Sequence, residues 1–542
     1  MPVKTAALRR FSALALLGGV LSPIACGRTE LPVPPQRPPP PECDVDDDCP
    51  GNDDLCEPVR CVTPTQALGE LDPNTLATLP PRVCFVLDPV DCDDNDPCTA
   101  DQCDRASGLC AYAPSTFDLD GDGFLAPRTG YAPGAPDACG DDCNDASAAA
   151  YPGGTEICDG VDNDCNGVVD DGAEYLPIQD SLLKLSIDPN TPAEGSGLAF
   201  SGSSYMATFT ASNESGFSTY QTLIRADGTI GDPDGEKFTF QNADSTGAVI
   251  RWIGDRYGVA WQDRRDNDYE VYFTILKENG DKVIPDRRLT FAGGFSVNVS
   301  LAWTGLEFLV TWQDERDGTF DVFAQRLDVD GNPVGSNVLL VDGPLDEESP
   351  EAAAGDSTMA LVWSSGSALE RRLWSQVFDL QSLTPVGEPV PLTQGTDDAN
   401  YPVITWNEDR YVVAWYEKAN ARAIMATTLD ESGAVITPAQ QISFPGPFRS
   451  RYPNVLPLGD RALFVFADDR DGGDYELYSH MVDRELLSMG PERRITFAPF
   501  DSISPISVFG PDGNVGILFR DDREGGVHHV FFTELGCATN VN

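Results

Sequence analysis

The stretch 300–341 reads SLAWTGLEFLVTWQDERDGTFDVFAQRLDVDGNPVGSNVLLV. Four short runs alternate apolar and polar residues, and Gly, Asp and Asn separate them, which is the pattern of short antiparallel strands. The runs predict strands at 300–304, 307–313, 321–327 and 337–341. The turn sequence Asp330-Gly331-Asn332 predicts a hairpin between the last two strands.

The aromatic residue that ends the second of these runs recurs at intervals of 52, 51, 51, 52, 51 and 53 residues. The recurring residues are Phe209, Trp261, Trp312, Trp363, Trp415, Phe466 and Phe519. Seven units of about fifty residues, each with four strands, predict an all-β fold, a seven-bladed β-propeller over 175–537. The run 183–187 is expected to supply the outer strand of the last blade and so to close the ring.

In four units the aromatic residue begins the pattern aromatic-x-Asp-x-Arg. Its members are Trp261, Asp263 and Arg265; Trp312, Asp314 and Arg316; Phe466, Asp468 and Arg470; and Phe519, Asp521 and Arg523. One interpretation is a sugar-binding or sialidase-like rim, and the other is an Asp–Arg pair that orders the turn after the second strand. Active sites are rarely copied into four blades, so periodicity favours the structural interpretation. The other units lack the pair, which leaves an asymmetric face that could bind a ligand.

The first 25 residues combine a basic start (Lys4, Arg9, Arg10) with a short apolar run, which predicts an export signal. The sequence Ile24-Ala25-Cys26 resembles a bacterial lipobox, which implies lipidation of Cys26 and a location at the outer membrane or cell surface. Plain secretion is the alternative. Residues 26–42 are a proline-rich linker. We expect no transmembrane helix in the mature chain, and contact with the membrane through the lipid alone.

The chain has 36 Lys+Arg against 87 Asp+Glu, a formal net charge of −51. Such a charge excludes nucleic acid and anionic membrane surfaces as electrostatic partners. Residues 42–174 alone contain 31 Asp+Glu and 4 Lys+Arg. With few large apolar residues there, cross-links and bound metal have to hold the fold.

Fifteen cysteines in an exported chain imply disulfides. The fourteen after Cys26 are Cys43, Cys49, Cys56, Cys61, Cys84, Cys92, Cys98, Cys103, Cys110, Cys139, Cys143, Cys158, Cys165 and Cys537. Twelve form three sets of four, which leaves Cys84 and Cys537, and parity favours a bond between these two. The cysteines lack the paired CxxC spacing of a structural zinc site. We expect Cys-rich acidic modules at 43–116, a metal-binding module at 117–174 and a short tail at 538–542.

The metal-binding module reads DLDGDGF at 118–124 and DDCNDASAAAYPGGTEICDGVDNDCNGVVDDG at 141–172. Closely spaced carboxylates with glycine at the turn suit a hard cation such as Ca²⁺, which takes six to eight oxygen ligands. The candidate ligands are Asp118, Asp120, Asp122, Asp141, Asp142, Asp145, Asp159, Asp162, Asp164, Asn166 and Asp170, with Glu156 as a further donor. Thr129 and Ala173 stand where an EF-hand has its bidentate glutamate, so neither loop is an EF-hand. An acidic spacer without specific metal is the alternative.

This module resembles the metal-binding repeat of bacterial surface proteins, DxDxDG[YF] followed by DCDD-like, PGAxExCDG and DNDCDG elements. A copper-binding surface protein belongs to that group, but copper needs softer donors such as imidazole. His480, His528 and His529 all lie outside the module, so Ca²⁺ is the expected cofactor. The second cysteine set resembles short CDDGNPCT-type repeats of exported bacterial proteins. The propeller units resemble TolB-like blades, most closely in PDGNVGILFRDDREGG at 511–526, which implies a fold and no activity.

No nucleophile elbow, HExxH helix, P-loop or dinucleotide fingerprint occurs. The first functional hypothesis is therefore a non-enzymatic surface lipoprotein, whose calcium-stabilised stalk presents the propeller to an unknown protein or glycan ligand. The alternative is a propeller-type glycoside hydrolase or lyase that acts on extracellular polysaccharide. A pair of acids about 5 or 9 Å apart on the ring axis would favour the enzyme. A third hypothesis is a periplasm-facing scaffold.

Overall fold

The structure is a computed structural model of the chain. It describes residues 44, 49, 56, 59–63, 81–86, 89–114, 116–158, 161–167, 170, 173–185, 191–213, 216–232, 235–239, 244–367, 370–394, 398–418 and 422–539. The predicted export signal, the lipidation site Cys26, the proline-rich linker, Cys43 and Asp159 lie outside these residues. The chain divides into two compact units, Met1–Ser115 and Thr116–Asn542. Among the described residues, no helix has the length and apolar character needed to cross a bilayer.

The first unit contains two small hairpins held by disulfides. Its strands are β1 (Val59–Val62), β2 (Val83–Val86), β3 (Thr99–Cys103) and β4 (Cys110–Pro114), paired β1 with β2 and β3 with β4. The bonds between cysteines of this unit that the structure describes include Cys49–Cys84, Cys56–Cys103 and Cys92–Cys110. The small buried cluster here consists of Cys49, Val59, Cys61 and Cys84. Covalent bridges therefore replace a large apolar core, as the composition predicts.

Two expectations about cysteine pairing are wrong. Cys84 bonds to Cys49 and not to Cys537. The bond between Cys56 and Cys103 joins the first set of four to the second, so the sets are not closed units. The extended chain brings β1 and β2 together across a long connection, and that pairing places Cys84 directly opposite Cys61 in the ladder and beside Cys49. Spacing along the sequence does not encode such a contact.

The second unit contains seven antiparallel sheets, six with four strands and one with five, which confirms the seven-bladed β-propeller. Blade 1 is β7 (Ala193–Phe200), β8 (Ser204–Asn213), β9 (Gly216–Arg225) and β10 (Glu236–Lys237). Blade 2 is β11 (Ser245–Trp252), β12 (Tyr257–Asp266), β13 (Asp268–Leu276) and β14 (Arg287–Arg288). Blade 3 is β15 (Ser296–Trp303), β16 (Phe308–Asp314), β17 (Asp321–Leu327) and β18 (Pro333–Val341). Blade 4 is β19 (Glu347–Ala354), β20 (Thr358–Ser365), β21 (Arg372–Asp379) and β22 (Pro385–Pro391).

The remaining blades repeat this arrangement. Blade 5 is β23 (Ala399–Asn407), β24 (Arg410–Glu417), β25 (Ala423–Leu429) and β26 (Val435–Gln441). Blade 6 is β27 (Ser450–Leu458), β28 (Arg461–Asp468), β29 (Glu476–Asp483) and β30 (Arg493–Arg494). Blade 7 is β31 (Ser502–Phe509), β32 (Val515–Asp521) and β33 (His529–Thr539), completed by β5 (Ala173–Pro177) and β6 (Leu183–Lys184). One 3₁₀ turn, Pro511–Gly513, lies between β31 and β32.

The ring closes by pairing the start of the second unit with its end. In blade 7, Lys184 of β6 is opposite Phe531 of β33, and Tyr175 of β5 is opposite Cys537. The outer strands of blade 7 therefore come from upstream in the chain and cover the edge of β33 at the seam. The expected pairing of the run 183–187 with the last blade is confirmed for Leu183 and Lys184, whereas the longer pairing comes from β5, which the sequence did not predict.

The recurring aromatic residues fill the space between neighbouring blades. Trp312 packs with Val271 and Phe273 of blade 2 in one buried cluster. At the seam, Tyr205 of blade 1 packs with Phe532 of blade 7, and its hydroxyl donates to Glu534 over 2.7 Å. Burying a large apolar side chain contributes roughly 1.5–3 kcal/mol, so each interface is a substantial source of stability.

The antiparallel order gives the ring two faces. We call the face where each innermost strand begins the entry face, and it also contains the loops between second and third strands. The turn face contains the hairpin turns between first and second strands and between third and fourth strands. All seven innermost strands have an irregularity in register near the entry face, such as the one between Val297 and Ser300.

Candidate metal centre and channel

The first acidic loop is ordered by its own aspartates. Asp118 accepts hydrogen bonds from the backbone N–H groups of Gly121 (2.6 Å) and Gly123 (3.1 Å), and Asp122 accepts one from Phe124 (2.8 Å). Gly121 and Gly123 have φ of 83° and 100°, which other residues rarely adopt. The loop therefore curls with its carboxylates turned to one side.

The second acidic segment completes this group. Asp145 accepts a hydrogen bond from the Leu119 N–H at 2.8 Å, which ties the segment to the first loop. Ligand atoms of Asp118, Asp120 and Asp122 lie within 4.8 Å of one another, and so do those of Asp120, Asp142 and Asp145. We call these five aspartates the first carboxylate cluster. Five of the predicted ligands thus converge in one place.

Three oxygens of the first cluster are buried and accept no hydrogen bond from the described residues. They are Oδ2 of Asp120, Oδ2 of Asp122 and Oδ2 of Asp142. Asp142 is fully buried, and burial together with the nearby Asp122, Asp120 and Asp145 raises its pKa, although the Asn144 N–H partly offsets this. Packing like charges together without donors is costly, and a bound cation removes that cost.

A second carboxylate cluster forms one loop further on. Ligand atoms of Glu156, Asp162 and Asp164 lie within 4.8 Å of one another. Asp162 accepts from the Gly167 N–H at 2.8 Å, while Glu156 accepts from the Asp164 N–H at 2.8 Å through Oε1. The other oxygen of Glu156 is buried and has no hydrogen-bond partner among the described residues, and burial raises the pKa of this carboxyl group. The disulfide Cys143–Cys165 ties the two clusters together.

Three predicted ligands are placed differently. Asp141 is exposed, although it precedes the buried Asp142. Asn166 donates from its side-chain amide to Asp164 at 3.0 Å. Asp170 is buried in an ion pair with Arg461, the first residue of β28 in blade 6. In the structure Asp170 therefore joins the module to the propeller.

Further contacts attach the module to the closing blade. Cys158 forms a disulfide with Cys537 of β33, across a sequence separation of 379. The buried Tyr175 donates its hydroxyl to the Cys158 carbonyl (3.0 Å) and to the Gly513 carbonyl (3.1 Å). The metal-binding module thus sits on the turn face, against the blades where the ring closes.

The repeated Asp–Arg pairs are part of the blade interior. In blade 3, Asp314 is buried and accepts from Trp312 Nε1 (2.8 Å), Ser296 Oγ (2.8 Å) and the Arg316 guanidinium (2.7 Å), whose carbon lies 3.9 Å from the centroid of the Phe323 ring. Burial alone would raise the pKa of Asp314, but these donors outweigh it and lower the pKa. Asp263, Asp468 and Asp521 hold Arg265, Arg470 and Arg523 in the same way. These contacts favour the structural interpretation of the motif.

An acidic group that the sequence did not single out lies on the innermost strand of blade 4, beside the ring axis. Glu351 on β19 is partly buried, accepts from Ser300 Oγ at 2.8 Å and interacts with Arg251 of β11. Burial raises the pKa of Glu351 to about 7, against the opposing effects of Ser300 and Arg251. The corresponding strand positions in the neighbouring blades 3 and 5 are Ser300 and Val403, so the acidic side chain in blade 4 could have been recognised as an exception to the repeat.

One comparison with known proteins supports a metal site. The Cu-binding_MopE family model, described as "Putative metal-binding motif", matches residues 142–171. This segment includes the second carboxylate cluster together with Asp142 and Asp145 of the first. A search of the curated proteins gives no match.

Solved structures match this chain at low similarity. A protein of unknown function from Dyadobacter fermentans is 11% identical, covering 68% of this chain and 100% of its own, with a TM-score of 0.43. The endosialidase of phage phi92 is 10% identical, covering 67% of this chain and 70% of its own, with a TM-score of 0.40. A subtype N10 neuraminidase-like protein of A/little yellow-shouldered bat/Guatemala/060/2010 is 11% identical, covering 55% of this chain and 94% of its own, with a TM-score of 0.36.

The expectation that the protein is not an enzyme is corrected by these comparisons. It rested on the absence of familiar catalytic motifs, yet the solved structures that match this chain at low identity include proteins named for enzymes, such as the endosialidase. A propeller can assemble a catalytic site from residues on different blades, and such a site leaves no contiguous motif in the sequence. The fold is therefore as compatible with catalysis as with binding.

Proposed function

We propose that this protein is an exported bacterial surface protein in which a Ca²⁺-binding module secures the closing blade of a propeller, and the propeller binds a protein or glycan ligand. The observation that carries the proposal is the first carboxylate cluster, with its three buried oxygens that lack donors. The module that contains this cluster is bonded to β33 through Cys158–Cys537. A bound cation would therefore stabilise the seam of the ring as well as the module.

The donor set favours Ca²⁺ over a softer metal. The ligand atoms available in both clusters are carboxylate oxygens, which suit a hard cation. Cys143 and Cys165, which lie beside Asp142, are bonded to each other and offer no thiolate. Copper prefers imidazole or sulfur ligands, and His480 and His529 are held in blades 6 and 7.

The disulfides support export. Structural disulfides persist in oxidising compartments and are rare in the cytosol. The structure contains bridges in both units, including Cys56–Cys103 and Cys158–Cys537. We propose that Cys26 carries the lipid and that the proline-rich linker separates the folded units from the membrane.

A pair of matched variants tests the metal proposal. We expect Ca²⁺ to raise the melting temperature of the EDTA-treated wild-type protein and of Asp141→Asn, in which an exposed carboxylate outside the clusters is replaced. Asp142→Asn should lose most of this increase, because it removes a buried ligand. At a Ca²⁺ concentration 100 times Kd, the stabilisation is about 2.7 kcal/mol. Equal responses of the two variants, or stabilisation by Cu²⁺ but not by Ca²⁺, would contradict the proposal.

One observation favours a second candidate function, hydrolysis of a polysaccharide. Glu351 lies beside the ring axis with a pKa raised to about 7 by burial, which is the property of a general acid in a glycoside hydrolase. Release of reducing ends from acidic and neutral polysaccharides tests it. The enzyme hypothesis requires activity that is lost in Glu351→Gln and retained in Asp141→Asn. Absence of activity on all of these substrates would leave the binding function.

A further inference from the structure

The innermost strands carry one residue in a left-handed conformation at the register irregularity beside the entry face. In six blades this residue is Gly247, Asn298, Ser349, Tyr401, Tyr452 or Ser504, with φ between 51° and 64°. Glycine and asparagine adopt this conformation readily, whereas it is a true outlier for a bulky side chain. Backbone strain of this kind is concentrated at functional sites. Tyr401 and Tyr452 are therefore the positions where the repeat departs from what folding alone favours.

In blades 2 to 4, glutamine side chains accept hydrogen bonds from the backbone of the next blade at this register irregularity. Gln262 accepts from the Asn298 N–H at 2.8 Å, and Gln313 accepts from the Ser349 N–H at 2.8 Å. Blade 5 has Tyr416 and blade 7 has Arg520 at the strand positions of these glutamines. At the channel mouth, blades 2 to 4 are thus joined by hydrogen bonds from backbone to glutamine side chains, whereas blades 5 and 7 have tyrosine and arginine at the glutamine positions.

The two left-handed tyrosines lie on the innermost strands of blades 5 and 6. Their ring centroids are 4.9 Å apart, with planes inclined at 54°. Tyr401 remains 52% exposed. Burial, the adjacent Tyr452 and Glu194 of blade 1 raise the pKa of Tyr401. The carboxylate of Glu194 therefore lies close enough, across the channel mouth, for its charge to affect the Tyr401 hydroxyl. The tyrosine pair therefore presents a ring surface towards the axis.

Arg451 brings a positive charge beside these rings. Its guanidinium lies 5.3 Å from the ring centroid of Tyr475 and 5.7 Å from that of Tyr416. The nearby arginines are paired with carboxylates, Arg449 with Asp469 and Arg520 with Glu194. Within the described part of the chain, Arg451 has no such ion pair. Arg451 therefore contributes a positive charge at this mouth that no described carboxylate neutralises through an ion pair.

Three polar groups at this mouth have hydrogen-bonding capacity that the described residues leave unused. They are Nε of Arg451, Nε of Arg520 and the hydroxyl of Tyr475. Tyr475 is only 7% exposed, so its hydroxyl is removed from bulk water. Buried donors without partners are unfavourable, and a ligand that carries both hydroxyl and carboxylate oxygens would supply the missing acceptors.

We propose that the entry-face mouth between blades 5 and 1, formed by Tyr401, Tyr452, Arg451, Tyr475 and Arg520, binds a carboxylate-bearing sugar unit. The carboxylate pairs with Arg451, since guanidinium groups bind carboxylates through charge-assisted hydrogen bonds. The electron-rich face of Tyr401 packs against the C–H face of the sugar ring, and the remaining donors bind hydroxyl groups. This inference rests on the proposed ligand-binding function of the propeller and adds the class of ligand and its site.

Calorimetric titration of the full chain in Ca²⁺ tests the proposal, with an oligogalacturonate as probe and a neutral galactose oligomer of the same length as its matched control. We expect the wild-type protein to bind the acidic probe and to bind the neutral one at least about tenfold more weakly, as expected for loss of one charge-assisted contact. Arg451→Gln should weaken acidic binding by a similar factor. Tyr401→Asn introduces the residue that blade 3 has at this position, so it should fold and yet bind more weakly.

Arg225→Gln is the control variant, because it removes an exposed positive charge from the turn-face end of β9. It should bind the acidic probe like the wild-type protein. Equal binding of both probes, or an Arg451→Gln variant with unchanged affinity, overturns carboxylate recognition and leaves the binding function standing. If an acidic peptide library yields ligands while the oligogalacturonate does not bind, the sugar assignment is wrong. If neither a sugar nor a protein ligand binds, the proposed function fails as well.

Discussion

Removal of the bond between Cys158 and Cys537 should destabilise the propeller more than removal of the bond between Cys143 and Cys165. The two bonds span sequence separations of 379 and 22 residues. A disulfide limits the entropy of the unfolded chain by an amount that grows with the logarithm of the loop length, which gives about 6 kcal/mol for the long loop and about 3.4 kcal/mol for the short one. The double variants Cys158→Ser/Cys537→Ser and Cys143→Ser/Cys165→Ser avoid free thiols. We expect their free energies of unfolding to differ by about 2.5 kcal/mol.

Chemical unfolding followed by tryptophan fluorescence measures this difference in free energy. The fluorescence reports on blades that are distant from the bond. The eight tryptophans all lie between 252 and 415, in blades 2 to 5, whereas the bond lies at blade 7. EDTA should be present throughout, because the shorter bridge also supports the carboxylate clusters. The reasoning is refuted if the Cys158→Ser/Cys537→Ser variant loses no more stability than the other, since the module and the ring would then not unfold as one cooperative unit.

Three further predictions concern single blades and the chain start. Asp314→Ala should destabilise the protein by about 3–5 kcal/mol at neutral pH by leaving Arg316 and Trp312 without their acceptor, whereas Asp317→Ala at the exposed neighbour should have little effect. Because the pKa of Asp314 is lowered in the folded state, its contribution is present above the unfolded pKa and is lost as the pH falls below about 4, so the two melting curves should converge in acid. In blade 5, Trp415 Nε1 has no hydrogen-bond partner among the described residues. The double substitution Ala399→Ser/Glu417→Asp gives blade 5 the serine and aspartate that blade 3 has at Ser296 and Asp314. The new aspartate should accept a hydrogen bond from Trp415 and add about 1 kcal/mol to the free energy of unfolding. In a bacterial host, radiolabelled palmitate should be incorporated into the wild-type chain and not into Cys26→Ser; labelling of both would exclude Cys26 as the modified residue.

The number of blades and the closure of the ring could be predicted from the sequence because both follow from local periodicity. A buried aromatic such as Trp312 recurs at a fixed interval, since each blade has to fill the same space against its neighbour. The predicted strand at 321–327 coincides with β17, Asp321–Leu327. The outer strand β18 starts earlier than expected, at Pro333, because an outer strand has less burial to mark its limits.

The carboxylate cluster could be predicted in outline, but its membership could not. The spacing of Asp118, Asp120 and Asp122 fixes a loop, so their convergence is a local property. Asp141 and Asp142 are adjacent in sequence, and only the fold determines that one is exposed and the other buried. Asp170 forms an ion pair with Arg461, which lies nearly three hundred residues away. Nothing in the sequence of the acidic segment indicates this partner. Disulfide pairing fails for the same reason, as the bond between Cys158 and Cys537 shows.

Repetition itself separates the structural residues of this protein from the candidates for function. A feature present in most blades, such as the Asp314–Arg316 pair, is buried and satisfies its own hydrogen bonds, so it is explained by folding. A residue that departs from the repeat and leaves polar groups unsatisfied has no such explanation. At the channel mouth, Arg451 has an Nε without a partner among the described residues, and Tyr401 departs from the repeat through its left-handed backbone. In the metal-binding module, outside the repeat, Asp142 likewise has a buried oxygen without a donor. Because natural sequences agree with their fold at most positions, conflicts of this kind mark the places where function has overridden folding.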